Sequence, residues 1–142
     1  VPWRDTSAYP RVELVRGKIV IDAMNPYAAD GEIIELGPHT TSSEEVQKRL
    51  HGARLVKAFN TMYYKHLAEN GRPGAPLERR DVIFVAADDF EAKQIISQLI
   101  EEIGFAPVDT GGLIEGGRKM QPDSPLYNRP MKPETARALV LG

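Results

Sequence analysis

No cysteine occurs among the 142 residues. That absence excludes disulfide scaffolds, thiol nucleophiles, iron–sulfur ligation and cysteine–zinc sites. Nor is there an excess of charge of one sign: 18 Lys and Arg stand against 20 Asp and Glu, a formal net charge of −2. Without a basic field, nucleic acids and anionic membranes are not expected partners. No apolar run approaches the roughly 20 residues that span a bilayer, and the N-terminus has no charged-then-apolar leader pattern. A soluble, cytoplasmic protein is the expectation. Three phosphate and nucleophile signatures are also missing: G-x-G-x-x-G, G-x-x-x-x-G-K-[ST] and a nucleophile elbow.

What remains suits a folded domain. Hydrophobic residues make up 42% of the chain and recur along its whole length, which argues against disorder. A chain of this size can bury roughly 68–70% of its unfolded surface. Four segments read as strands: 18–25 (KIVIDAMN), 54–60 (RLVKAFN), 81–87 (DVIFVAA) and 106–109 (APVD). The first is an Ile/Val run bounded by Gly17 and Pro26, the pattern of a strand covered on both faces.

Helix signals alternate with these strands. Ser42 as N-cap would place Glu45 at the reciprocal capping-box position, with Val46 and Leu50 on one face and Gly52 as the stop. A further helix is expected over 61–69, followed by a loop over 70–76 with two glycines and two prolines. Asp88 and Asp89 cap the clearest helix, whose Ala92, Ile95, Ile96, Leu99, Ile100 and Ile103 fall at helical spacing before Gly104. The alternation predicts an α/β fold with a mostly parallel, right-handed crossover sheet. Residues 1–110 form that α/β unit. Residues 111–142 form a Gly/Pro-rich segment with a short helix over 132–141, Pro133 in its first turn.

Ligands in open α/β sheets bind at the carboxyl ends of strands, and two strands here end in asparagine, Asn25 and Asn60. Each can donate and accept toward a ligand, and each is equally a turn former. Their equivalent placement favours a shared ligand edge. Asp88–Asp89 could be a metal or phosphoacceptor pair, but helix capping explains it more directly. His39, His51 and His66 have no ligand-like spacing, so no metal site is expected. The glycine pairs 111–112 and 116–117 flank Leu113-Ile114-Glu115 and read as a flexible turn, with close approach to a ligand as the other reading.

Several segments together carry a family resemblance: Val1-Pro2-Trp3-Arg4-Asp5, the run from Gly17 to Tyr27, the run from Gly52 to Thr61, Asp88-Asp89 through Gly104-Phe105, Gly111-Gly112-Leu113 and Gly116-Gly117-Arg118. They resemble the NADPH-dependent deazaflavin-coenzyme (F420) oxidoreductases, a family of predicted dinucleotide-binding proteins to which the oxidoreductase domain of six-transmembrane metalloreductases is similar. Members of that family begin with a strand and a G-x-G-x-x-G turn. This sequence looks like their C-terminal part, the second half of a Rossmann-like doubly wound sheet in an N-terminally truncated form. The resemblance implies that residues 1–110 are a partial Rossmann-like NADP-binding domain.

The resemblance implies hydride transfer between NADP(H) and a deazaflavin or flavin. It also implies cofactor-binding loops at Pro2 and Trp3, at Asn25 and Pro26, and at Ala58, Phe59, Asn60 and Thr61. Met24 stands where many relatives carry threonine. Hydride transfer between rings needs positioning and a dry pocket and no obligatory acid or base, so no catalytic residue is assigned. The alternative is a non-enzymatic half-Rossmann module that acts through homo-oligomerisation at an exposed sheet edge.

Overall fold

The computed structural model describes residues 1–142. Four strands, β1 (Ile19–Asp22), β2 (Arg54–Ala58), β3 (Val82–Ala86) and β4 (Ala106–Gly111), form one sheet in the order β1-β2-β3-β4. Around it lie α1 (Val12–Val15), α2 (Ser42–Arg49), α3 (Tyr64–Glu69), α4 (Phe90–Glu102), α5 (Glu115–Lys119) and α6 (Pro133–Leu141). No helix is long and apolar enough to cross a membrane.

The four expected strands, the α/β class and the mostly parallel sheet are present. β1/β2 and β3/β4 pair in parallel, but β2 and β3 are antiparallel, joined only through Lys57 with Ala86 and Ala58 with Val85. The reason lies in the connections. α4 has 13 residues and buries Ala92, Lys93, Ile96 and Ile100, so it can lie across the sheet between parallel strands. α3 has six residues and buries none. Of its residues Leu67 packs against the core under α4, too small a face to carry the chain across the sheet, and β3 returns from the same end.

All five residues of β3 are buried and alternate between two cores. Ile83 and Val85 pack with Val56, Ala58, Ala92, Ile96, Ile100 and Phe105 under α4. Val82, Phe84 and Ala86 pack with Val108, Met120, Leu126 and Ala136 on the opposite face, so residues after 110 complete the same core as β3 and β4. A third cluster holds Val46, Leu50, Leu55 and Leu113 beneath α2. The apolar stripe of α4 splits: Ala92, Ile96 and Ile100 face the core, while Ile95, Leu99 and Ile103 are 45%, 38% and 41% exposed. β1 is an edge strand, and Ile21 is 36% exposed.

Two capping expectations change. Thr41, not Ser42, caps α2: its hydroxyl oxygen accepts from Glu44 N at 3.3 Å and donates to the Leu113 carbonyl at 2.8 Å. Glu45 does not reach back to the cap; its carboxylate accepts from Thr40 Oγ1 and Lys48 Nζ. Of the two aspartates, Asp89 is the cap of α4, accepting from Ala92 N at 2.9 Å. Asp88 accepts from Leu113 N at 2.9 Å, a contact 25 residues away that local sequence does not show.

Asp89 also takes both Arg54 guanidinium contacts, at 2.6 and 3.1 Å. That hydrogen bond, with the α4 amide, holds its carboxyl down to about 2 from an ordinary 3.8. A carboxyl depressed in the folded state stabilises above its unfolded pKa and loses that contribution as acid protonates it. Melting temperature should therefore fall between about pH 4 and pH 2, and Asp89→Asn should flatten that part of the profile. Melting curves of both proteins across this range check it; identical slopes would contradict it.

The glycine-rich segment is ordered, not a flexible turn: β4 runs to Gly111, and 115–119 form α5. A Cβ on Gly116 would stand 2.7 Å from Thr110 Oγ1 and 2.8 Å from Gly111 N. Gly116→Ala should cost about 1–3 kcal/mol by overpacking, measurable by denaturant titration. An unchanged midpoint would contradict this close packing.

Candidate functional site

The carboxyl ends of β1 and β2 are adjacent because the strands are parallel and in register from Ile19/Arg54 to Asp22/Lys57. The chain leaving β2 turns sharply at Phe59, which has φ +70°, a left-handed conformation that a bulky residue rarely adopts. Such strain persists only where surrounding contacts impose it, and it concentrates at functional sites. Here it follows directly after β2 and precedes Asn60.

Asn60 is only 5% exposed. Its Nδ2 donates to Asn25 Oδ1 at 3.0 Å and to the Met120 carbonyl at 2.8 Å. Two acceptors use both hydrogens of that nitrogen, which fixes the orientation of the amide. Asn60 Oδ1 is left buried with no donor. Asn25 in turn donates through Nδ2 to the Asn60 carbonyl at 3.2 Å and toward the Tyr127 hydroxyl at 3.4 Å. Tyr27 and Tyr127 hydroxyls lie 3.3 Å apart. Burial and the neighbouring Tyr27 phenol push Tyr127 up to about 12, so it stays a neutral hydrogen-bonding group. The two strand-end asparagines thus sit in one hydrogen-bonded network with the two tyrosine hydroxyls. Asn60 lies inside that network, not on an open cleft.

The other residues singled out by sequence are spread around this network. Trp3 is half-buried, its indole N–H donating to the Ser42 carbonyl at 2.9 Å at the start of α2. It lines a cavity of about 500 Å³ with Arg4, Tyr9, Leu36, Thr40 and Arg49. Pro2 is exposed and Pro26 is buried, its carbonyl accepting from Ile34 N at 2.7 Å. Ala58 is wholly inside the core under α4, and Phe59 packs against that core. Thr61 is buried, and its carbonyl accepts from Asn128 N at 2.7 Å. Asn25 and Asn60 are therefore joined directly, while Trp3 and Thr61 border separate cavities.

Sequence reasoning did not find Tyr127, Tyr27, Asp22 or Lys57. The tyrosines are 100 residues apart, with no local signal connecting them. Lys57 did carry a signal, a charged residue inside the otherwise apolar run 55–59, and the structure puts it in register with Asp22. No group of three His, Asp or Glu is placed to hold a metal ion.

No family model matches the chain. Over 97 residues it is 30% identical to Metalloreductase STEAP3 of Rattus norvegicus, a match covering 68% of this chain and 18% of that protein. Among solved structures it is similar to the hypothetical protein SMa0349 of Sinorhizobium meliloti, with a TM-score of 0.76 and 30% identity over 93% of this chain and 63% of the other. A protein of Arthrobacter sp. FB24 assigned as an F420-dependent NADP-reductase gives a TM-score of 0.59 and 27% identity, over 77% of this chain and 50% of that one. The fold is Rossmann-like. The chain spans less than a fifth of the metalloreductase and 63% and 50% of the two structural neighbours.

Proposed function

We propose that the chain serves NADP(H)-dependent hydride transfer, with a deazaflavin (F420) or flavin ring as the acceptor. The observation that carries this reading is the Asn25–Asn60 pair at the joined ends of β1 and β2, in which buried Asn60 holds the amide of half-buried Asn25. A nicotinamide carboxamide offers both a donor and an acceptor, so its chemistry fits the amide of Asn25. Trp3, Pro2, Pro26, Phe59 and Thr61 belong to the loops that would surround that ring, while Ala58, the last residue of β2, lies in the core and would only support them. The names of the metalloreductase and the NADP-reductase neighbour support the same reading.

NADPH held at this site would supply a hydride to the acceptor ring, leaving NADP⁺ and a reduced ring that takes its balancing proton from solvent. The protein's part is to orient the ring through Asn25 and Asn60 and to keep water from the site. The Asn25 and Asn60 amides carry no titratable proton, in keeping with a transfer that needs no acid or base. With no glycine phosphate turn in this sequence, the 142-residue chain should hold NADPH weakly. Calorimetric titration giving micromolar affinity would contradict that.

The test is oxidation of millimolar NADPH in the presence of F420 or FMN, in separate arms, by the chain and its variants. Asn25→Ala should lower the rate per folded molecule roughly 2- to 13-fold, the equivalent of a hydrogen bond of about 0.5–1.5 kcal/mol. Asn60→Ala should lower it similarly and also cost about 1–3 kcal/mol of stability, because the buried Met120 carbonyl loses its donor. Lowered melting points with unchanged rates, or no transfer to either acceptor, would overturn the reading.

A further inference from the structure

Lys57 lies within β2 between Val56 and Ala58 and is 2% exposed. Its register partner on β1 is Asp22, also 2% exposed, with Nζ 3.3 Å from Oδ2. Burial pushes the lysine pKa down, and the charge and hydrogen bond of Asp22 oppose the shift. Strand alternation puts this pair on the face of Val20 and Leu55, which pack in or against the apolar cluster beneath α2. A buried ion pair in such surroundings is seldom more stabilising than apolar side chains of equal volume, because both charges have left water. Stability alone therefore does not account for it.

The contacts show what the pair holds. Asp22 Oδ1 accepts from Met24 N at 2.9 Å, and Lys57 Nζ donates to the Met24 carbonyl. Asp22 Oδ2 also accepts from Ser43 Oγ at 2.7 Å, which ties the carboxylate to the first turn of α2. The main chain of Met24 is thus gripped at both its N–H and its C=O. The next residue is Asn25, whose side chain meets Asn60 across the two loops. A leucine–methionine pair would fill the same space and grip neither group.

We infer that Lys57 and Asp22 are positioning residues, clamping the Met24 main chain so that the Asn25 and Asn60 amides are held in register. Their consequence for a bound nicotinamide rests on the function proposed above, but the clamp itself does not. Lys57→Met alone leaves the Asp22 charge buried and unpaired, so it can fail to fold. The double variant Asp22→Leu, Lys57→Met removes both charges and keeps the volume.

The experiment follows side-chain amide resonances of Asn25 and Asn60 by NMR in the wild-type chain and the double variant, together with melting curves and titration with nicotinamide mononucleotide. The double variant should melt within a few degrees of wild type. Its Asn25 and Asn60 amides should nonetheless shift to solvent-like positions, and mononucleotide affinity should fall at least tenfold. Amide resonances unchanged in a folded double variant would overturn the positioning role, because a merely space-filling pair predicts that result. Wild-type chain that fails to bind mononucleotide, with the amide shifts still lost in the variant, would instead refute the nicotinamide reading and uphold the clamp.

Discussion

Lys57→Met should destabilise the protein by about 3–5 kcal/mol, the cost of leaving one member of a buried ion pair without its partner. Asp22 is 2% exposed and keeps only the Ser43 hydroxyl and the Met24 amide as donors once Nζ is gone. A loss of that size is a large fraction of the stability of a single domain. Urea denaturation of the single variant and of the Asp22→Leu, Lys57→Met double variant measures it. The double variant should recover most of the loss, since two apolar side chains leave no orphan charge. Equal midpoints for the single variant and wild type would show that water reaches the pair.

Gly104→Ala should have an effect of similar size from a different cause. Gly104 ends α4 with φ +99°, and a Cβ there would stand 2.3 Å from Arg72 N and 2.7 Å from Pro73 N and Cδ. The left-handed backbone costs an L-residue about 1–3 kcal/mol, and the collision adds about 1–3 kcal/mol more. The contact is made by backbone on both sides, because Arg72 N also donates to the Gly104 carbonyl at 2.9 Å. Relief therefore requires moving the 70–76 loop off the end of α4. The expected fall in melting temperature is on the order of 10 °C, read by calorimetry. A shift of only a degree or two would mean that the loop gives way freely.

Strand and helix identities followed from local pattern wherever burial was uniform. The Ile/Val run of β3, buried throughout, is the case in which propensity and packing agree; β1, whose pattern suggested cover on both faces, is an edge strand with Ile21 36% exposed, and half of the α4 stripe faces solvent. Direction was not available in the same way. Nothing in 81–87 distinguishes a strand entering from one end of the sheet from one entering at the other. That was decided by α3, which is too short and too polar to cross the sheet. The ordered 110–119 segment was hidden for a related reason, since Gly116 is required by the approach of Thr110 and Gly111 and not by a turn.

At the site, Asn25 and Asn60 were visible because both stand at strand ends. Their partners were not, since Met120 and Tyr127 come from a distant segment. Nor was the burial of Asn60 legible, because its cover comes from the distant Met120 segment.

The central claim is that the joined ends of β1 and β2 receive a nicotinamide ring. The direct measurement is an NMR titration of the isotopically labelled 142-residue chain with reduced nicotinamide mononucleotide, a probe with no pyrophosphate to be held. The account predicts that the largest shifts fall on the side-chain amides of Asn25 and Asn60, with the indole N–H of Trp3, the sole tryptophan, moving with them. Shifts concentrated elsewhere, or none at saturating millimolar probe, would contradict it.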